Sequence, residues 1–211
     1  AAKAVGGDFY DFFMIDESHL GLTIADVSDK GVPAAIFMAI SRTVIRANAL
    51  SQLSPANCMR KSNELLCKES VNGMFVTAFY AILNILTGEL VYCNAGHNQP
   101  VACLSGEKAK MLPLTGGMAL GVMPGYAYAE RTLQLSGGDS LFFYTDGVTE
   151  AMNPANDLFG DQRLLSVCEE SRGLSSERIV TEVSTALGVF VGEAEQSDDV
   201  TMMSLVYGPA R

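Results

Sequence analysis

The sequence predicts an α+β fold in which antiparallel sheets are layered with helices, and two features of the chain carry that prediction. Most of the apolar segments have a period of two and are joined by hairpin-length turns. The helical segments come in consecutive pairs rather than alternating with single strands, which disfavours a parallel βαβ sheet. No internal repeat, linker or low-complexity tract interrupts the 211 residues, so one domain over 1–211 is expected.

Residues 9–15 and 19–27 read as strands around the turn Asp16-Glu17-Ser18. Pro33 suits the first position of a helix that runs, without internal breakers, to Ala49. Ser54-Pro55 opens a second helix ending near Glu69, with Leu65 and Leu66 on its apolar face. From Met74 the period becomes two. Strands are expected over 74–84 and 89–94 around Leu86-Thr87-Gly88, then over 99–104, 109–113 and 127–135. Ser136-Gly137-Gly138-Asp139 launches a buried strand to Tyr144; helices near 161–171 and 175–191 and a strand over 200–207 complete the chain.

Composition narrows the function. Apolar residues make up 48% of the chain and charged ones only 18%, which excludes a disordered polypeptide. The formal net charge of −10 argues against nucleic acid as a partner and against a polybasic membrane contact. Five cysteines, with no Cys-x-x-Cys pair, suit neither a disulfide framework nor a zinc site and fit a reducing cytoplasm. No apolar run reaches the roughly 18–20 residues that span a bilayer. The start Ala1-Ala2-Lys3-Ala4 lacks the apolar core of a signal peptide and runs directly into Gly6-Gly7-Asp8. A domain truncated at its N-terminus, from a longer regulated protein, is therefore expected.

Four acidic motifs share one setting, an aspartate at a strand end beside glycine or another small residue. They are Gly6-Gly7-Asp8, Ala25-Asp26-Val27-Ser28, Thr145-Asp146-Gly147 and Ser197-Asp198-Asp199. Each alone reads as a local turn or cap. Together they describe carboxylates that strand ends can bring to one edge of a sheet, where mutual repulsion demands a cation. Oxygen-only ligation selects hard ions such as Mg²⁺, Mn²⁺ or Ca²⁺.

The order of these motifs resembles the RsbU/SpoIIE branch of the protein phosphatase 2C-like (PPM) family. The matching segments are Val5-Gly6-Gly7-Asp8-Phe9-Tyr10-Asp11, Asp26-Val27-Ser28-Asp29-Lys30-Gly31-Val32-Pro33-Ala34-Ala35, Phe75-Val76-Thr77-Ala78, Asn94-Ala95-Gly96-His97, Tyr144 to Ala151, and Asp198-Asp199-Val200-Thr201. The resemblance implies a four-layer α-β-β-α sandwich of two antiparallel sheets flanked by helix pairs. It implies two divalent cations, Mn²⁺ or Mg²⁺, with Asp26 bridging both, the Val27 carbonyl and Asp8 serving one, and Asp146 and Asp198 holding the other. Asp199, Gly147 and Gly7 would support these ligands from behind. Two such ions about 4 Å apart lower the pKa of a shared water, and the hydroxide attacks phosphorus in line.

The implied activity is hydrolysis of phosphoserine or phosphothreonine. The implied substrate is a STAS-type anti-sigma-factor antagonist in a partner-switching pathway, under control of an upstream sensor module. The helix after Asp26 is implied to be a regulatory switch and homodimer contact. A catalytically silent PPM-fold binding module is the alternative; a two-metal nuclease fits the carboxylates but not the charge. Three positions depart from the pattern. Asp29 replaces the usual glycine, Ser28 stands where eukaryotic relatives carry histidine, and no arginine near Asp8 offers to grip phosphate. His97 reads as a residue that fixes its loop, and His19 as incidental.

Overall fold

The Phe-rich run after Asp8 and the run from His19 form β1 (Phe9–Met14) and β2 (His19–Val27), antiparallel in the register Phe9↔Ala25 to Met14↔Leu20. The computed structural model describes residues 6–51, 54–70, 73–196 and 198–208; residues Ala1–Val5, and Ser197 of the fourth acidic motif, lie outside them. Asp16 closes the hairpin. Its Oδ1 accepts from the N–H of Ser18 (2.8 Å) and of His19 (2.9 Å), and the carboxylate lies 2.8 Å from His19 Nδ1. The Ser18 N–H first, then the His19 ring, hold this carboxyl well below its usual range, at about 2. His19 is thus part of the turn and not incidental.

The first helix, α1 (Val32–Ala49), has proline in its first turn and buries Ala34, Phe37, Ser41, Ile45 and Ala49 along one stripe. Its opposite side leaves Val32 and Ile36 exposed. Helix α2 (Pro55–Glu69) is capped by Ser54, whose hydroxyl accepts from Asn57 N–H at 3.2 Å. Strands β3 (Val76–Asn84) and β4 (Glu89–Ala95) follow, joined at Leu86-Thr87-Gly88, where Gly88 takes φ +77°. Then come β5 (Val101–Cys103), β6 (Lys110–Met111), β7 (Arg131–Gln134) and β8 (Ser140–Tyr144). The chain ends through α3 (Asp146–Thr149), α4 (Gly160–Glu170), α5 (Ser176–Val191) and β9 (Met202–Val206).

These elements sort into two compact units. One holds a five-stranded sheet ordered β1-β2-β3-β4-β7 with α1 and α2 packed on it. Phe9, Phe13, Val27, Tyr80, Phe37, Met59 and Leu66 meet in its core. The other holds a four-stranded sheet ordered β6-β5-β8-β9 with α4 and α5, around Phe142, Tyr144, Phe159, Leu164 and Val183. Every ladder in both is antiparallel. Two antiparallel sheets and two helix pairs are the layers that the sequence predicts.

Asp11 shows how a carboxylate survives inside the first unit. It lies on the helix-facing side of β1 and is buried, yet both its oxygens sit 2.9 Å from Arg46 Nη1, and Arg42 Nη2 is 3.3 Å away. Arg46 also stacks 4.5 Å from the centroid of the Phe13 ring. The guanidinium therefore both neutralises the buried charge and covers apolar surface.

Several strands are shorter than their sequence periods suggest. The run 127–135 pairs only over Arg131–Gln134; ahead of it Tyr126 and Tyr128 pack edge to face at 4.9 Å. Glu130 instead caps α2, accepting from Ser54 Oγ (2.8 Å) and Ala56 N–H (3.0 Å). The runs 99–104 and 109–113 contract to β5 and β6. Pro100 has no N–H to give a ladder, although its carbonyl accepts from Leu112 N–H at 2.8 Å. Among the described residues no helix is long and apolar enough to cross a membrane. All five cysteines are free; burial pushes Cys58, Cys93 and Cys168 up to about 12, so these thiols stay protonated at neutral pH.

Candidate metal centre

Each unit carries two of the predicted aspartates. In the first, the β1–β2 ladder closes on Phe9↔Ala25, which leaves Asp8 and Asp26 as the next opposed positions beyond it. Both are half-buried. Gly7 packs over the same spot: a Cβ there would lie 3.0 Å from the Val27 carbonyl oxygen and 3.6 Å from Asp26 Oδ1. A side chain at position 7 would press on the Val27 carbonyl, which is the predicted backbone ligand.

The end of β2 is held from two sides. Ser28 N–H donates to the Phe75 carbonyl and Phe75 N–H donates to Ser28 Oγ, both at 2.9 Å. The Ser28 hydroxyl is therefore engaged by backbone. Opposite Asp26 in the ladder stands Thr77, whose hydroxyl makes a long 3.4 Å contact to the Asp26 carbonyl and lies 2.9 Å from His97 Nδ1. His97 is buried and bracketed by Asn94, which accepts from its N–H (2.7 Å) and donates to its carbonyl (2.8 Å). Gly96 takes φ +75° against Ala119, as this tight turn requires. Asp29, also at positive φ (+78°), is exposed and accepts from Lys30 N–H at 2.8 Å.

In the second unit β8 ends at Tyr144 opposite Met202, and the pairing runs on: Thr145 N–H donates to Thr201 O and Thr201 N–H to Thr145 Oγ1, both at 3.1 Å. That places the first residue of α3, Asp146, beside the Asp198-Asp199 segment. Contact there is closest at Gly147, where a Cβ would lie 1.9 Å from the Asp199 carbonyl oxygen. Asp198 Oδ1 accepts from Asp199 N–H at 2.8 Å, and the Asp198 carbonyl accepts from the Gln196 amide at 2.6 Å. Asp146, Asp198 and Asp199 are all half-buried.

Among the described residues no group of three or more His, Cys, Asp or Glu side chains is close enough to hold an ion. Half-buried carboxylates beside Gly7 in one unit and beside Gly147 in the other nonetheless match the donor chemistry of a hard divalent cation. The four aspartates and both glycines are the residues that the sequence singles out. The sequence does not reveal the link from Thr77 to Asp26 and His97, which depends on strand register, nor the use of Ser28 as a backbone clamp.

Two antiparallel sheets with paired helices are the fold of the protein phosphatase 2C-like domains. The chain belongs to the SpoIIE family (stage II sporulation protein E), which residues 16–207 match. It is 32% identical over 231 aligned positions to Protein IcfG of Synechocystis sp. (strain ATCC 27184 / PCC 6803 / Kazusa), covering 97% of this chain and 36% of that protein. It is 28% identical to the phosphoserine phosphatase RsbU of Bacillus subtilis (strain 168), covering 97% and 60%. The chain thus spans less than two thirds of either relative. Among solved structures, the RsbU and RsbW domains of Rv1364c from Mycobacterium tuberculosis superpose with a TM-score of 0.80 at 26% identity, covering 99% of this chain and 57% of that one.

Proposed function

We propose that this domain hydrolyses phosphoserine or phosphothreonine on a protein, using two divalent cations, Mn²⁺ or Mg²⁺. Asp26 would bridge the two, Asp8 and the Val27 carbonyl would serve one, and Asp146 and Asp198 the other. The observation that supports this reading is the placement of the aspartates at strand ends: Asp8 and Asp26 are the next opposed positions of the β1–β2 ladder beside Gly7, and Asp146 lies by the Asp198-Asp199 segment at Gly147. Bound there, the cations supply a water of lowered pKa and neutralise phosphoryl charge. The chain's own task is to hold the ligands still: Gly7 leaves the Val27 carbonyl accessible, Ser28 and Thr77 pin the end of β2, and Thr145 pins Asp146. RsbX, a neighbour of the same fold (TM-score 0.70, 20% identity, 96% and 87% covered), is a magnesium complex, which supports the choice of ion.

The substrate in this reading is a phosphorylated STAS-type anti-sigma antagonist, acted on in the cytoplasm under an upstream sensor module. Helix α1 would serve as switch and homodimer contact, since Val32, Ala35, Ile36, Ala39 and Ile40 form an uncovered apolar stripe along it. A silent binding module is disfavoured because no predicted ligand position has lost its aspartate.

The test is hydrolysis of p-nitrophenyl phosphate and of a phosphorylated STAS protein with Mn²⁺. Turnover of both, abolished by EDTA and restored by excess Mn²⁺, is expected. Turnover that persists in EDTA would sink the reading.

A further inference from the structure

Beside Asp198, and wholly within the second unit, a cleft of about 250 Å³ opens between α5, the segment after α3 and the start of β9. Its walls are apolar: Ala151 and Leu187 are buried, and Val191, Val200 and Met202 are half-buried. Its polar lining consists of Ser184, Glu195, Gln196 and Asp198, with Glu195 and Gln196 exposed; among the described residues no lysine, arginine or histidine lines it. Gly188 lies inside α5 on the same wall, and a Cβ there would meet nothing within 4 Å. Glycine is the poorest helix former after proline, so its presence at a site with room for a side chain keeps the cleft open at the helix's expense.

An apolar slot with an anionic mouth is complementary to a side chain that has an aliphatic stem and a cationic tip. The cleft is also continuous with Asp198, one of the proposed ligands. We propose that it receives a lysine or arginine of the phosphoprotein substrate, close in sequence to the phosphorylated residue. This selects among phosphoproteins and rests on the phosphatase reading above.

The probes are fluorescein-labelled phosphoserine peptides in an alanine background, with one lysine moved through the flanking positions. Binding to the wild-type chain, Gly188→Leu and Glu195→Gln is read by fluorescence anisotropy, and p-nitrophenyl phosphate turnover with Mn²⁺ is measured in parallel. At one position lysine or arginine should tighten binding about 10-fold over alanine, leucine or glutamate. That gain should vanish in Gly188→Leu and fall several-fold in Glu195→Gln, while turnover of p-nitrophenyl phosphate stays unchanged in both. A flat scan, a gain that survives Gly188→Leu, or leucine binding as well as lysine would overturn the proposal. Should Gly188→Leu misfold by thermal denaturation, Glu195→Gln, a surface change, decides alone. Absent p-nitrophenyl phosphate turnover in the wild-type chain would count against the phosphatase reading, and the anisotropy scan would still decide the cleft.

Discussion

Asp26→Ala is expected to lower kcat on a phosphorylated substrate by about 10³-fold or more, a loss of about 4 kcal/mol of transition-state stabilisation. The size follows from the proposed role: a bridging carboxylate serves both cations, so its removal disturbs both at once. Folding should change little, because Asp26 lies half-buried at the end of β2, while Ala25 and Val27 carry the packing there. Metal supplies a second readout. Mn²⁺ should raise the melting temperature of the wild-type chain by mass action and fail to raise that of the variant. A variant that keeps both its rate and its Mn²⁺-induced shift would remove Asp26 from the site.

Gly147→Ala should be the most damaging single methyl group in the second unit. Its Cβ would lie 1.9 Å from the Asp199 carbonyl oxygen, 2.9 Å from the carbonyl carbon and 3.4 Å from Val200 Cγ2. Two of these are backbone atoms, which cannot rotate away as a side chain would. The Asp198-Asp199 segment would have to move off Asp146, breaking the bonds between Thr145 and Thr201. A destabilisation of about 2–4 kcal/mol is expected by urea denaturation, along with loss of Mn²⁺-dependent turnover. Wild-type stability in this variant would mean that the close approach at Gly147 is not a constraint.

Much of the fold is written in short-range chemistry. Asp16-Glu17-Ser18 announces its hairpin because an aspartate side chain can accept from the N–H groups two and three residues on, and Gly88 does so because it reaches positive φ. Helices α1 and α2 start where proline and a serine cap put them. What local pattern does not carry is competition from distant groups. The segment before Arg131 has a strand's period, but Glu130 is used to cap α2, more than seventy residues earlier. Helix α3 reads as a turn because its four residues carry little signal of their own. The aspartates themselves are legible only as an ordered set, since each motif alone is an ordinary turn. Thr77 is invisible as a partner of Asp26 until the β2–β3 register is known.

The central claim is a pair of divalent cations held by Asp8, Asp26, Asp146 and Asp198, and calorimetric titration of the metal-free chain with Mn²⁺ tests it most directly. Two ions per chain are predicted, with the rate on p-nitrophenyl phosphate rising as the second is bound. A metal-free chain that turns over at the full rate, or one that binds no Mn²⁺ at all, would contradict the account.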